Sequence, residues 1–188
     1  MKTTKKRTNL NRKVSLKRLL FAASCLWLLP ACAWAQYNVF VFVDGIEGEA
    51  ISPTHPNTIE ATGFSFGTTN TLTSGCGRFA DLSVAKFVDK ASPRLMLHCA
   101  SGLLVVRVNI YVQKVVNGSP HDYLELRLDN AKISGVTNGN STNGQPTEVV
   151  TFRPEQVTMT YTILAADGSV QGQVHTCFMP ETCHDCSK

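Results

Sequence analysis

Apolar and polar residues alternate along most of this chain. The alternation is cleanest between Leu104 and Val116, where Val106, Val108, Ile110 and Val112 oppose Arg107, Asn109, Tyr111 and Gln113. A period of two places these sets on opposite faces of an extended strand, one buried and one wetted. Asn117-Gly118-Ser119-Pro120 supplies a turn, and the return alternates again, Leu124, Leu126 and Leu128 against Tyr123, Glu125 and Arg127. The same reasoning predicts strands over Tyr37 to Val43, closed by Asp44-Gly45, over Thr58 to Phe66, and over Asp81 to Val88. Thr68 to Arg78 and Asn138 to Gln145 are small, polar and glycine-containing, and read as exposed loops. Thr147 to Phe152 and Val157 to Leu164 read as a hairpin turning at Arg153-Pro154-Glu155-Gln156. Asp167-Gly168 then leads into a last strand, Val170 to His175.

One segment, Lys86 to Gly102, breaks this rhythm and predicts a short helix. Ser92 is placed to cap it, Pro93 suits the first helical position, and Gly102 suits the left-handed stop. Leu95 and Cys99 lie one turn apart with Met96 beside them, an apolar face fit to seal a sheet edge or a barrel mouth. With no repeats and no second run of elements, the pattern predicts a mainly β fold, an antiparallel β-barrel or two-sheet sandwich with one short α-helix.

The first 35 residues follow other rules. Lys2, Lys5, Lys6, Arg7, Arg12, Lys13, Lys17 and Arg18 precede an apolar run, Leu19 to Leu29, too short to span a bilayer as a helix. Ala33-Trp34-Ala35 then offers the small residues that a signal peptidase reads, so residues 1–35 read as a signal peptide leaving Gln36 as the new N-terminus. A second reading takes Leu29-Pro30-Ala31-Cys32 as a lipoprotein box acylated at Cys32, with proline a poor fit at its middle position. The expectation is export to the periplasm or the extracellular space, without stable membrane insertion. The leader also dominates the charge. The whole chain is +4, but eight of its 18 basic residues and none of its 14 acids lie in the leader, so the remaining 153 residues carry a net −4. No Lys/Arg cluster remains there, which argues against a nucleic-acid partner.

Four stretches, in order, carry a resemblance to a known family. They are Asp44-Gly45-Ile46-Glu47-Gly48-Glu49 with Ile59-Glu60 and Phe64-Ser65-Phe66-Gly67; Val88-Asp89-Lys90-Ala91-Ser92-Pro93-Arg94-Leu95 with Cys99 and Gly102; Tyr123-Leu124-Glu125-Leu126 through Ile133-Ser134; and Pro146-Thr147-Glu148 through Phe152 with Val157 to Tyr161. They resemble the haemolysin-coregulated protein (Hcp) family, the tube subunit of type VI secretion. The resemblance implies a β-barrel with one flanking helix that self-associates into a six-membered ring. It also implies rings stacked into a tube, with a spike protein and small effector cargo as partners. The long loop before the helix, roughly Thr68 to Val88, would reach a neighbouring ring. Two features depart from the family: the exported leader, and a Cys-rich tail over residues 175–188 that follows the barrel domain of residues 36–174.

Five cysteines follow the leader, which itself holds Cys25 and Cys32: Cys76, Cys99, Cys177, Cys183 and Cys186. In an oxidising compartment such cysteines pair, and an odd count leaves one thiol free or bonded to another chain. Cys76, on the exposed loop, is the best candidate for the odd one and could bond a tail cysteine of another subunit, while Cys99 fits a buried small hydrophobe. His175, Cys177, Cys183, His184 and Cys186 could supply zinc ligands, but a single C-x-x-C is a weak signal and disulfides are the stronger reading. A redox dithiol at Cys183 and Cys186 would need a helix N-terminus that the sequence does not supply. His55, His98 and His121 have nothing local to orient them, and Glu47, Glu49 and Glu60 read as surface carboxylates. No nucleophile motif, phosphate loop, cofactor signature or metal set stands out, so catalytic, cofactor and metal sites are all expected to be none. The expected function is a structural, ring-forming, exported carrier of type VI secretion. The alternative is a periplasmic or secreted monomeric binding module on the same fold.

Overall fold

A computed structural model describes residues 37–70, 77–140 and 144–187, all within one compact unit, Ala35–Lys188. The expected leader and Cys76 lie outside the described residues. Among the described residues eleven strands and one helix follow in the order β1 (Tyr37–Val43), β2 (Ile59–Ser65), β3 (Thr68–Thr69), β4 (Arg78–Phe79), β5 (Leu82–Phe87), α1 (Ser92–Ser101), β6 (Leu104–Val116), β7 (Ser119–Asn140), β8 (Pro146–Arg153), β9 (Gln156–Leu164), β10 (Val170–Met179) and β11 (His184–Asp185). The sheet order β7-β6-β1-β2-β5-β8 closes because β8 pairs back onto β7, giving a six-stranded antiparallel barrel. Strands β9, β10 and β11 extend from the other half of β7. Among the described residues no helix is long and apolar enough to cross a membrane.

The predicted hairpin at Arg153–Gln156 is a correction. Strands β8 and β9 do not pair with each other; both pair with β7. Lys132 faces Arg153, and three residues on, Asp129 faces Gln156. That unbroken register makes β8 and β9 one bent return strand along the 22-residue β7. Pro154 and Glu155 form the bend, where the amide of Glu155 donates to the carbonyl of Asp129 and Asn130 Nδ2 donates to the Glu155 carboxylate at 3.0 Å. A turn-forming Arg-Pro-Glu-Gln stretch looks the same in sequence whether the chain reverses or merely kinks.

The strand faces also change phase. Inward residues on β6 are Val105 and then Val108, Ile110 and Val112; on β7 they are Leu126 and Leu128 and then Ala131 and Ile133. The switches lie opposite each other, at a point where Asn130 takes φ 51°. Val106, expected inside, is therefore exposed. Gln113, expected outside, is buried next to a second irregularity at Val112/Gln113.

Helix α1 ends as predicted on left-handed Gly102, φ 63°. Its start differs: Ala91 is the cap position, and Ser92 is already inside the helix without capping it. Leu95 is fully buried and Cys99 packs against the core, while Met96 is exposed. Three other boundaries move. The loop after β2 is pinched where β3 pairs with β4, β7 runs on to Asn140, and the last strand passes His175 to reach Met179.

Candidate functional site

The two most distinctive sequence stretches meet. Glu49 accepts from the amide of Lys90 at 3.1 Å, Glu47 lies 3.5 Å from the Lys90 ammonium, and Arg94 donates to the carbonyl of Gly45. Gly48 passes so close to the backbone of Thr58 and Ile59 that no Cβ fits there. Beneath this junction Lys86, on β5, is buried with its ammonium 2.7 Å from both Glu148 of β8 and Asp89, and 2.8 Å from the carbonyl of Phe87. Ser92 donates to the same Glu148 oxygen at 2.7 Å and accepts from the amide of Asp89, which explains why it is not a cap. The Asp89 carboxylate instead takes the Ala91 amide at 2.9 Å. This cluster fastens helix, loop and the β5–β8 seam together. It holds fixed counter-charges through Glu148 Oε1, while Glu148 Oε2 is buried without a hydrogen-bond partner.

A second polar group covers the outer face of β6 and β7. His55, in the loop between β1 and β2, stacks on Tyr111 at 4.2 Å and reaches both oxygens of Asp122 at 3.0 and 2.9 Å. Sequence reasoning missed this partner because Asp122 lies 67 residues away. Gln113 donates to Asp122 at 2.9 Å and to Thr54 at 3.0 Å, while Asn109 donates to Tyr111 and Glu125. Burial raises the Glu125 pKa above the ordinary value, and the nearby Asp122 charge adds to the rise. Asp122 and Tyr111 brace the His55 ring, while Asn109 Oδ1 is buried without a hydrogen-bond partner.

The tail forms a third feature. Cys177 and Cys186 form a disulfide, and Cys183 is also disulfide-bonded, so Cys183 and Cys186 do not act as a dithiol pair. Cys99 is a free, half-buried thiol. Phe178 stacks on Phe79 at 4.6 Å, and Phe79 lies 5.5 Å from Phe66, joining the tail to the β3–β4 ladder. His175 and His184 are exposed on β10 and β11, while the ring of His121 lies against Gly168. Among the described residues no group of three or more His, Cys, Asp or Glu is disposed to hold a metal ion.

Strand β10 carries β9 on one side. On the other side it carries only β11, at Phe178 and Met179, so among the described residues Val170–Thr176 forms an open edge. That stretch has no charge and no proline, the devices that usually blunt an edge. Its Val174 lies directly opposite Tyr161, and Val170, Val174, Tyr161 and Ile163 are all exposed, at 62%, 62%, 46% and 41%. Tyr161, Tyr123 and Tyr37 continue the patch with ring centroids 6.0 and 5.9 Å apart.

A closed antiparallel barrel with one packed helix, internal polar braces and an open apolar edge defines a scaffold class of protein. The family described as type VI secretion system effector, Hcp, matches residues 40–161, and the chain belongs to it. Protein Hcp1 of Pseudomonas aeruginosa PAO1 is 28% identical over 144 residues, 72% of this chain and 89% of that protein. The crystal structure of Hcp1 from Salmonella typhimurium has a similar fold, with TM-score 0.68 and 22% identity over 80% of this chain and 99% of that one. A type VI secretion system effector from Yersinia pestis is likewise similar, with TM-score 0.64 and 23% identity over 75% of this chain and 98% of that one. The family match stops at Tyr161, so β10, β11 and the tail cysteines lie beyond it.

Proposed function

We propose that this chain is a non-catalytic, ring-forming Hcp subunit that carries small protein cargo and is exported through its own cleaved leader. The observation that carries the reading is the open β10 edge. Its unpaired backbone groups and exposed Val170 and Val174 need a partner strand, and a second copy of the same chain supplies one. A head-to-tail contact of this kind closes into a ring when the rotation fits; the family resemblance supports six members, a spike partner and cargo in the lumen. The His55–Asp122 pair, stacked on Tyr111 and joined by Gln113, supports a structural role. The leader's basic start, short apolar run and Ala33-Trp34-Ala35 support cleavage after Ala35 and a periplasmic or extracellular destination.

The deciding experiment is light scattering after size exclusion on residues 36–188, with intact mass of the exported full-length product. A mass near six subunits and a new N-terminus at Gln36 are expected. A strict monomer at high concentration would overturn ring formation and leave a monomeric binding module on the same fold.

A further inference from the structure

We infer that the disulfide-held strand β11 is a redox-controlled stop on the open β10 edge, fixing where a docking strand must end. The inference rests on the edge-pairing reading above and adds its regulation. In an antiparallel ladder a residue's N–H and C=O point to the same neighbour. Those of Cys177 point away from β9: its amide donates to Ser187 Oγ at 2.7 Å, and its carbonyl accepts from the Cys186 amide at 3.2 Å and from Ser187 Oγ at 3.3 Å. By the same alternation the backbone groups of His175 and Gln173 face outward, where no strand among the described residues covers them. The edge is therefore open up to His175 and satisfied from Cys177 onward.

The covering piece is too small to hold itself. Strand β11 is two residues long and pairs through two positions, Phe178 with Asp185 and Met179 with His184. The Cys177–Cys186 bond ties it directly to β10, joining the residue before the two paired positions to the first residue after β11, while the disulfide at Cys183 holds the residue before β11. Cys177 is 7% exposed and Cys186 half-buried, so an incoming thiolate reaches Cys186 first. One thiolate of a dithiol reductant attacks Cys186 Sγ, forms a mixed disulfide and expels Cys177 as a thiolate that takes up a proton. The second thiol of the reductant then displaces Cys186, leaving the reductant as a disulfide and two protein thiols. With β11 released, the edge lengthens through Met179 and pairing loses its fixed end. Phe178 also loses the clasp that presses it on Phe79.

The test uses residues 36–188 in three forms: oxidised, reduced with dithiothreitol, and as the Cys177→Ser/Cys186→Ser variant, which leaves Cys183 oxidised. Amide exchange at Cys177 and Cys186 reads the stop directly, and light scattering reads pairing. The expected result is at least tenfold faster exchange at both amides in the reduced and variant forms, with one discrete mass giving way to a broad, larger distribution. Unchanged exchange would overturn the stop, and lost protection without any change in mass would overturn its control of pairing. A monomer in the oxidised form that associates once β11 is released would support the stop while overturning the ring.

Discussion

Lys86 and Glu148 show what single residues contribute. Each is about 1% exposed and is tolerable because it is paired, Lys86 with Glu148 and Asp89, and Glu148 with Lys86 and Ser92. Replacing one leaves an uncompensated buried charge, so Lys86→Met should lower stability by about 3–5 kcal/mol, whereas Lys86→Met/Glu148→Leu should recover much of the loss. Urea midpoints of the single and double variants check both. Two carboxylates give opposite pH signatures. Burial opposes ionisation of Asp81, but hydrogen bonds from Arg153 and Ser134 outweigh it and hold its pKa below the ordinary 3.8. Its contribution is therefore complete above that value and is lost as pH falls through the lower folded value, so Asp81→Asn should flatten the acid limb of a stability–pH curve. Glu125, raised above its ordinary 4.5 by burial and Asp122, favours folding in its protonated form and loses that contribution as pH rises. Glu125→Gln should accordingly stabilise the protein at pH 7 and leave it unchanged well below pH 4.5, measured by denaturant titration at both. None of this was readable from the chain, because Lys86 looks like any strand-edge lysine until a residue 62 positions away arrives beside it.

At the scale of elements, local chemistry was legible and long-range pairing was not. Strands β1 and β6 and the stop of α1 at Gly102 follow from alternation and from a residue able to take positive φ. The start of α1 did not follow, because the Ser92 hydroxyl has a stronger claim from Glu148 than from its own helix. The kink at Pro154 looked like a reversal because a sequence pattern reports that the chain bends, not which strand lies beside it. The inward set on β6 was misread at Val106 because the faces change phase between Val105 and Val108, which alternation in sequence does not report. Packing at this scale is tight at Gly48, where the β1–β2 loop crosses Thr58. Gly48→Ala should cost about 1–3 kcal/mol through forced backbone movement, with a lower thermal midpoint and a loosened contact between Glu49 and the Lys90 amide.

For the molecule as a whole, family membership was legible because its signature stretches are those that fold onto one another at the head of α1. The open edge was not, since the expected last strand ended at His175 and the disulfide partners could not be assigned from spacing. Association should depend on that edge rather than on the barrel. Val174→Glu is expected to abolish multimers in light scattering while leaving the thermal midpoint within a few degrees, since Val174 is 62% exposed. The seam between β5 and β8 has a consequence for time. Leu82 cannot meet Phe152 until most of the chain exists, so the barrel stays unsealed through synthesis. Contacts so distant in sequence close slowly, on the order of milliseconds to seconds. A chain that shuts this late remains threadable for as long as it is being made.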